Sequence, residues 1–208
     1  MNKDFYNKIK LLADKYAKRL EKQISKRIVE MEEDDNSHYL IYRVLGITME
    51  EGNLIDLYQN KGRFLYKYAG AFLEEAALMC FKEKYSNAEK VKIPNTLGRR
   101  PKTFEIDCLV NSRAHEIKWR DATTDGDHIS KEHTRVKVIQ EKGYKPIRVM
   151  FYYPNRAQAQ RIQETLKTLY AGVAGEYYYG DTAWEYIKTF TGIDLLEILE
   201  KIAESRKN

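Results

Sequence analysis

The sequence predicts an α/β fold: a mixed β-sheet with helices on both faces and extra helices at both ends of the chain. Three observations predict it. Strand-like and helix-length segments alternate between about residues 62 and 170. Residues 103–118, TFEIDCLVNSRAHEIK, read as two short strands joined by a tight turn at Asn111 to Arg113, so part of the sheet is antiparallel. The run IRVMFYY, residues 147–153, is almost continuously apolar, which suits a central strand covered on both sides.

The elements follow in order. Phe5, Ile9, Leu12, Tyr16, Leu20, Ile24, Ile28 and Met31 recur at steps of three and four, one apolar stripe on a helix of about seven turns. Its other faces carry Lys and Arg, a solvated surface or a contribution to a dimer or DNA contact. EEDDNS, residues 32–37, is an acidic break, and a short helix runs from His38 to Leu45 and stops at Gly46. Thr48 and Glu51 have capping-box spacing, so another helix is expected to about Tyr58. A separate helix is expected from Gly62 to Tyr85, apolar on nearly all sides around Ala69 to Met79, with Glu74 and Glu75 inside that stretch. Lys90 to Ile93 reads as an edge strand and Asn95 to Lys102 as a basic loop. After the hairpin, WRDATTDGDHI reads as a loop. Ser130 to Lys142 is a helix stopped by Gly143. Past the central strand, a helix runs from Pro154 and Asn155 to about Tyr170, and a Tyr- and Gly-rich connection spans Gly172 to Gly180. Helices from Asp181 to Phe190 and Ile193 to Ser205 close the chain. The parts are thus an N-terminal helical region, 1–60, either part of the same domain or a dimerisation arm; a core, 61–170; and C-terminal helices, 171–208.

Composition bounds the function. With 208 residues and 43% hydrophobic content the chain can bury a core. It has no apolar run long enough for a membrane span and no apolar leader at its start, so a cytoplasmic protein without membrane contact is expected. Cys80 and Cys108 fall in apolar settings on different elements, as buried thiols do. The net charge of +5 is compatible with nucleic acid but does not demand it. His38, His115, His128 and His133 lack zinc spacing.

The chemistry concentrates in the hairpin. With strand alternation, Glu116 and Lys118 share one face and Asp107 shares a face with Glu105 and Leu109, while Ile106, Cys108 and Val110 turn away. Glu116-Ile117-Lys118 is the only acid-x-Lys in the chain. Such a cluster is either a cross-strand charge pair or a hydrolytic site. In the second reading Asp107 and Glu116 offer hard oxygen ligands to Mg²⁺, the Ile117 carbonyl adds a third, and Lys118 orients a water or binds a phosphate oxygen. Glu74 or Glu75, from the preceding helix, joins the site if it faces this point.

At these residues the sequence resembles the PD-(D/E)xK nucleases, whose Mg²⁺ site combines a strand-end Asp with a Glu-x-Lys on the next strand and often a helical Glu. Gly70, four residues before Glu74 in YAGAFLEEAAL, has a spacing seen in that superfamily and favours Glu74 as the helical ligand. Ile106 stands where the superfamily name has Pro, a variable position. The longer run EIKWRDATTDGDHISKEHTR, with IRVMFYYPNRAQAQ after the next helix, resembles the ApaLI-like type II restriction endonucleases. The likeness covers about Gly62 to Leu195 and is strongest from Phe104 to Asn155. It implies a restriction-endonuclease-like sheet core, a homodimer cutting a short site in double-stranded DNA, Mg²⁺ as cofactor with Mn²⁺ as substitute, and a cognate DNA methyltransferase.

A specific endonuclease needs backbone and base contacts. Arg120, Asp121, Thr123, Thr124 and Asp125 leave the active-site edge and are candidates, since Arg suits guanine and Asp accepts from cytosine. Lys131, His133 and Arg135 on the next helix, and Arg99, Arg100 and Lys102 before the hairpin, are further candidates. Asp125 with Asp127 and His128 forms a weaker metal candidate. A structure- or damage-specific repair nuclease and a non-catalytic DNA-binding protein remain the alternatives.

Overall fold

A computed structural model describes residues 2–98, 100–120 and 127–206, with the backbone alone for Asp127 and His128. The chain divides into two compact units, residues 7–72 and residues 1–6 with 73–208.

The unit of residues 7–72 is helical. It holds most of α1 (Lys3–Glu32), α2 (Tyr39–Val44) and the first two thirds of α3 (Met49–Lys84). The capping box forms in both directions: the Thr48 N–H donates to Glu51 Oε2 at 2.9 Å and the Glu51 N–H to Thr48 Oγ1 at 3.2 Å. Gly46, at φ +81°, ends the short helix as expected. The expected break near Gly62 is absent, and α3 is one helix of 36 residues. A single Gly inside a helix costs about 1 kcal/mol against Ala, too little to end it without Pro or a cap.

The other unit is built on a five-stranded mixed sheet in the order β1-β2-β3-β4-β5. The strands are β1 (Glu89–Pro94), β2 (Thr103–Val110), β3 (Arg113–Arg120), β4 (Lys145–Tyr152) and β5 (Glu176–Tyr179). β1, β2 and β3 are antiparallel neighbours; β3, β4 and β5 are parallel. Asn111 and Ser112, at φ +48° and +61°, make a two-residue turn whose twist matches that of paired strands. β4 is buried along nearly its whole length, as its apolar run requires. β5 falls within the Tyr- and Gly-rich stretch expected to be only a connection. It is four residues long, and Gly175 lets it in: a Cβ there would lie 2.6 Å from the Pro146 carbonyl oxygen.

Helices cover both faces. α4 (Asp127–Glu141) and α5 (Ala157–Gly172) lie on one, where Phe104, Ile106 and Ala114 bury against Val138 and Ile139. The end of α3 and α6 (Asp181–Thr191) lie on the other, where His115 contacts Phe81 and Tyr186 and Phe151 packs on Trp184. The amphipathic α7 (Leu195–Glu204) buries Leu195, Ile198 and Ile202. No described helix is long and apolar enough to cross a membrane.

One irregularity sets the site. On β1, Val91 pairs with Ile106, but Glu89, two residues earlier, pairs with Leu109, three residues later. β2 therefore carries one extra residue around Asp107 and Cys108, a β-bulge. Ile106 and Leu109 come to share the α4 face, and Leu109 packs with the Ile106 cluster. The expected common face for Asp107 and Leu109 is thereby overturned: regular alternation holds only while the ladder is unbroken.

Candidate active site

Past the bulge β2 and β3 cease to pair. Their ladder runs from Val110 opposite Arg113 to Cys108 opposite His115. Asp107 comes next, and its carboxylate fills the gap: Oδ2 accepts the Ile117 N–H at 2.8 Å. Asp107 is 4% exposed. It opens toward the α3 side of the sheet, where carboxylate oxygens of Glu74, Glu105 and Asp107 all lie within 4.8 Å of one another. Lys90 of β1 bonds to Glu74 and, at 2.7 Å, to Glu105.

Glu116 occupies the other flank. Its partner across the parallel ladder is Arg148 of β4, so both point toward α4. Lys118 Nζ lies 2.5 Å from Glu116 Oε1 and 3.9 Å from Asp107 Oδ2, bridging the two carboxylates. The Arg135 guanidinium of α4 pairs with Glu116 Oε2. Asp107, Glu116 and Lys118 thus meet as the sequence suggested, but through a gap between strands and not on one flat face.

The environments drive the two acids apart. Burial, and then the charge of Glu116, push the Asp107 carboxyl up to about 7. Burial also works to raise Glu116, but Lys118, Arg135 and Arg148 outweigh it and hold that carboxyl below its ordinary range. Burial acts to lower Lys118, yet Glu116 and Asp107 raise it, so it stays a cation. Three convergent oxygen donors, one of them a carboxyl disfavoured as an anion without a further cation, fit a hard divalent ion.

Of the two helical acids it is Glu74 that joins the cluster with Asp107 and Glu105. Glu105, which the spacing did not single out, joins the same cluster, two residues before Asp107. Arg100, Lys102, Arg120 and Lys131 are exposed, as a DNA-facing role requires. His133 is also exposed and borders a groove with Lys137 and Thr168 of α5. Arg135 is turned inward to Glu116. Arg99, Asp121, Thr123, Thr124 and Asp125 lie outside the described residues, as do the side chains of Asp127 and His128.

Two further findings bear on this geometry. The family model for ApaLI-like restriction endonuclease matches residues 1–204, a longer span than the motifs suggested. No curated protein and no solved structure matches the chain.

Proposed function

Since the chain belongs to the ApaLI-like restriction endonuclease family, and so to the nucleases that hydrolyse DNA, we propose that it is a type II enzyme cutting double-stranded DNA at a short specific site with Mg²⁺, for which Mn²⁺ substitutes. The observation that carries this reading is the bulged end of β2, where buried Asp107 meets Glu74 and Glu105 on one side and Glu116 and Lys118 on the other.

In this reading Asp107, Glu116, Glu74 and the Ile117 carbonyl would hold the cation, with Glu105 as a further oxygen donor. Bound Mg²⁺ would supply an acidified water and charge neutralisation at the scissile phosphate. The protein supplies the rest. Asp107 keeps its carboxylate in register through the Ile117 N–H. Lys118, about one-third exposed, presents its ammonium to an approaching phosphate oxygen or attacking water. Arg99, Arg100 and Lys102 clamp the backbone, and Arg120, Asp121, Thr123, Thr124 and Asp125, with Lys131 and His133, reach the duplex.

Recognition of a palindrome would pair two copies. The helical unit is suited to this: Leu40, Ile41 and Val44 of α2, Leu45 just after it, and Leu54, Ile55 and Tyr58 of α3 are all exposed, and monomers rarely leave large apolar patches uncovered. A cytoplasmic setting and a cognate methyltransferase that protects host DNA complete the proposal.

The test is digestion of long, unmethylated duplex DNA with Mg²⁺ against EDTA, followed by sequencing of the ends. Discrete fragments sharing one terminal sequence support it. Cutting confined to mismatches or junctions would mark a repair nuclease. Binding without any product in Mg²⁺ or Mn²⁺ would mark a non-catalytic DNA-binding protein.

A further inference from the structure

Arg135 was expected to touch DNA. The structure sets its guanidinium against a metal-ligand candidate instead, within a buried row of alternating charge. Glu116 pairs with Arg135, Arg135 Nε lies 3.7 Å from Glu132 Oε2, and Glu132 Oε1 lies 3.3 Å from Arg148 Nη1. The Tyr170 hydroxyl donates to Glu132 at 2.6 Å. Glu132, Arg148 and Tyr170 are all buried. Arg135 also lies over the Phe104 ring, 5.6 Å from its centroid.

We propose that Arg135 is a positioning residue that presents Glu116 to the catalytic cation. The two oxygens of Glu116 are divided. Oε1 faces Lys118, which also faces Asp107, and Oε2 faces Arg135 beneath α4. Arg135 therefore holds one oxygen of Glu116, so that the other stays on the side of Lys118, which also reaches Asp107 and where the ion would sit. Its own place is set by Glu132 and Phe104. A row of this kind differs from a surface ion pair, which contributes little. Here loss of one member strands a buried charge, and a metal-ligating carboxylate relies on its outer hydrogen-bonding partner for orientation. The inference rests on the metal-dependent reading above.

The test separates the two. Mn²⁺ is titrated calorimetrically into the full-length, DNA-free protein, and duplex binding is measured in EDTA. Wild type is compared with Arg135→Gln. The Gln variant is expected to bind Mn²⁺ about 10–100-fold more weakly while keeping its affinity for duplex DNA. If wild type binds Mn²⁺ and the variant binds it equally well, the inference falls and the metal-dependent reading stands. A variant that loses DNA affinity but keeps Mn²⁺ affinity overturns it in favour of a phosphate contact. Wild type that binds no Mn²⁺ removes the premise, and both fall. Should the Gln variant not fold, Arg135→Lys takes its place. A Mn²⁺ affinity lowered about threefold or more, with wild-type thermal unfolding, then supports the inference through lost two-point contact, and an unchanged affinity overturns it.

Discussion

Asp107→Asn should make the metal-free protein more stable while abolishing cleavage. Burial and the neighbouring Glu116 raise the Asp107 carboxyl from 3.8 to about 7 in the folded chain. The folded state therefore binds the proton more tightly than the unfolded state does. This stabilisation is fully present below about pH 3.8 and is lost as the pH rises through 7. At about pH 8 the ionised Asp107 costs up to roughly 4 kcal/mol, at about 1.4 kcal/mol for each pKa unit. Asn cannot ionise, and its amide oxygen can still accept the Ile117 N–H. The expected gain near pH 8 in EDTA is about 2–4 kcal/mol, or roughly 5–10 °C for a chain of this length. Near pH 4 the difference should vanish. Mg²⁺ at about a hundred times its dissociation constant should stabilise wild type by about 2.7 kcal/mol and leave the variant unmoved. Thermal unfolding at both pH values, with EDTA and with Mg²⁺, reads all of these. A variant no more stable than wild type at pH 8, or one that Mg²⁺ stabilises equally, refutes the reasoning.

Glu74→Gln should weaken Mg²⁺-dependent cleavage about 10–100-fold and Glu75→Gln should leave it near wild type, since Glu74 is the one that meets Asp107 and Glu105; single-turnover cleavage decides between them. His115 donates its Nδ1–H to the Cys108 carbonyl and accepts at Nε2 from the Tyr186 hydroxyl, and burial pushes it down to about 4. Folding then favours its neutral form, so stability should fall by about 2–3 kcal/mol as the pH drops from about 6.5 toward 4, and His115→Gln should flatten that slope in denaturant titrations. Leu45→Lys, on the exposed end of the short helix, should shift sedimentation from dimer to monomer and leave the helical content intact; a dimer that persists at low concentration would exclude this surface.

Local patterns in the sequence were sufficient for much of the fold. The α1 stripe, the Thr48–Glu51 capping box, the Asn111–Ser112 turn and the buried run of β4 each depend on neighbours a few residues apart, and each stands where periodicity and turn chemistry put it. The Glu116-x-Lys118 pair on β3 and Asp107 on β2 were legible for the same reason. Other features depend on pairing between distant segments and could not be read locally. The bulge that turns Asp107 into the strand gap exists because β1 pairs with β2 out of step between Glu89 and Val91. The choice of Glu74, the entry of Glu105 and the inward turn of Arg135 follow from helix packing, which no period of two or 3.6 encodes. β5 needed the close approach of Gly175 to Pro146. Residue identity and local spacing marked which groups could do the chemistry; long-range register and packing set how they meet, because burial sets their charges and a one-residue shift sets their direction.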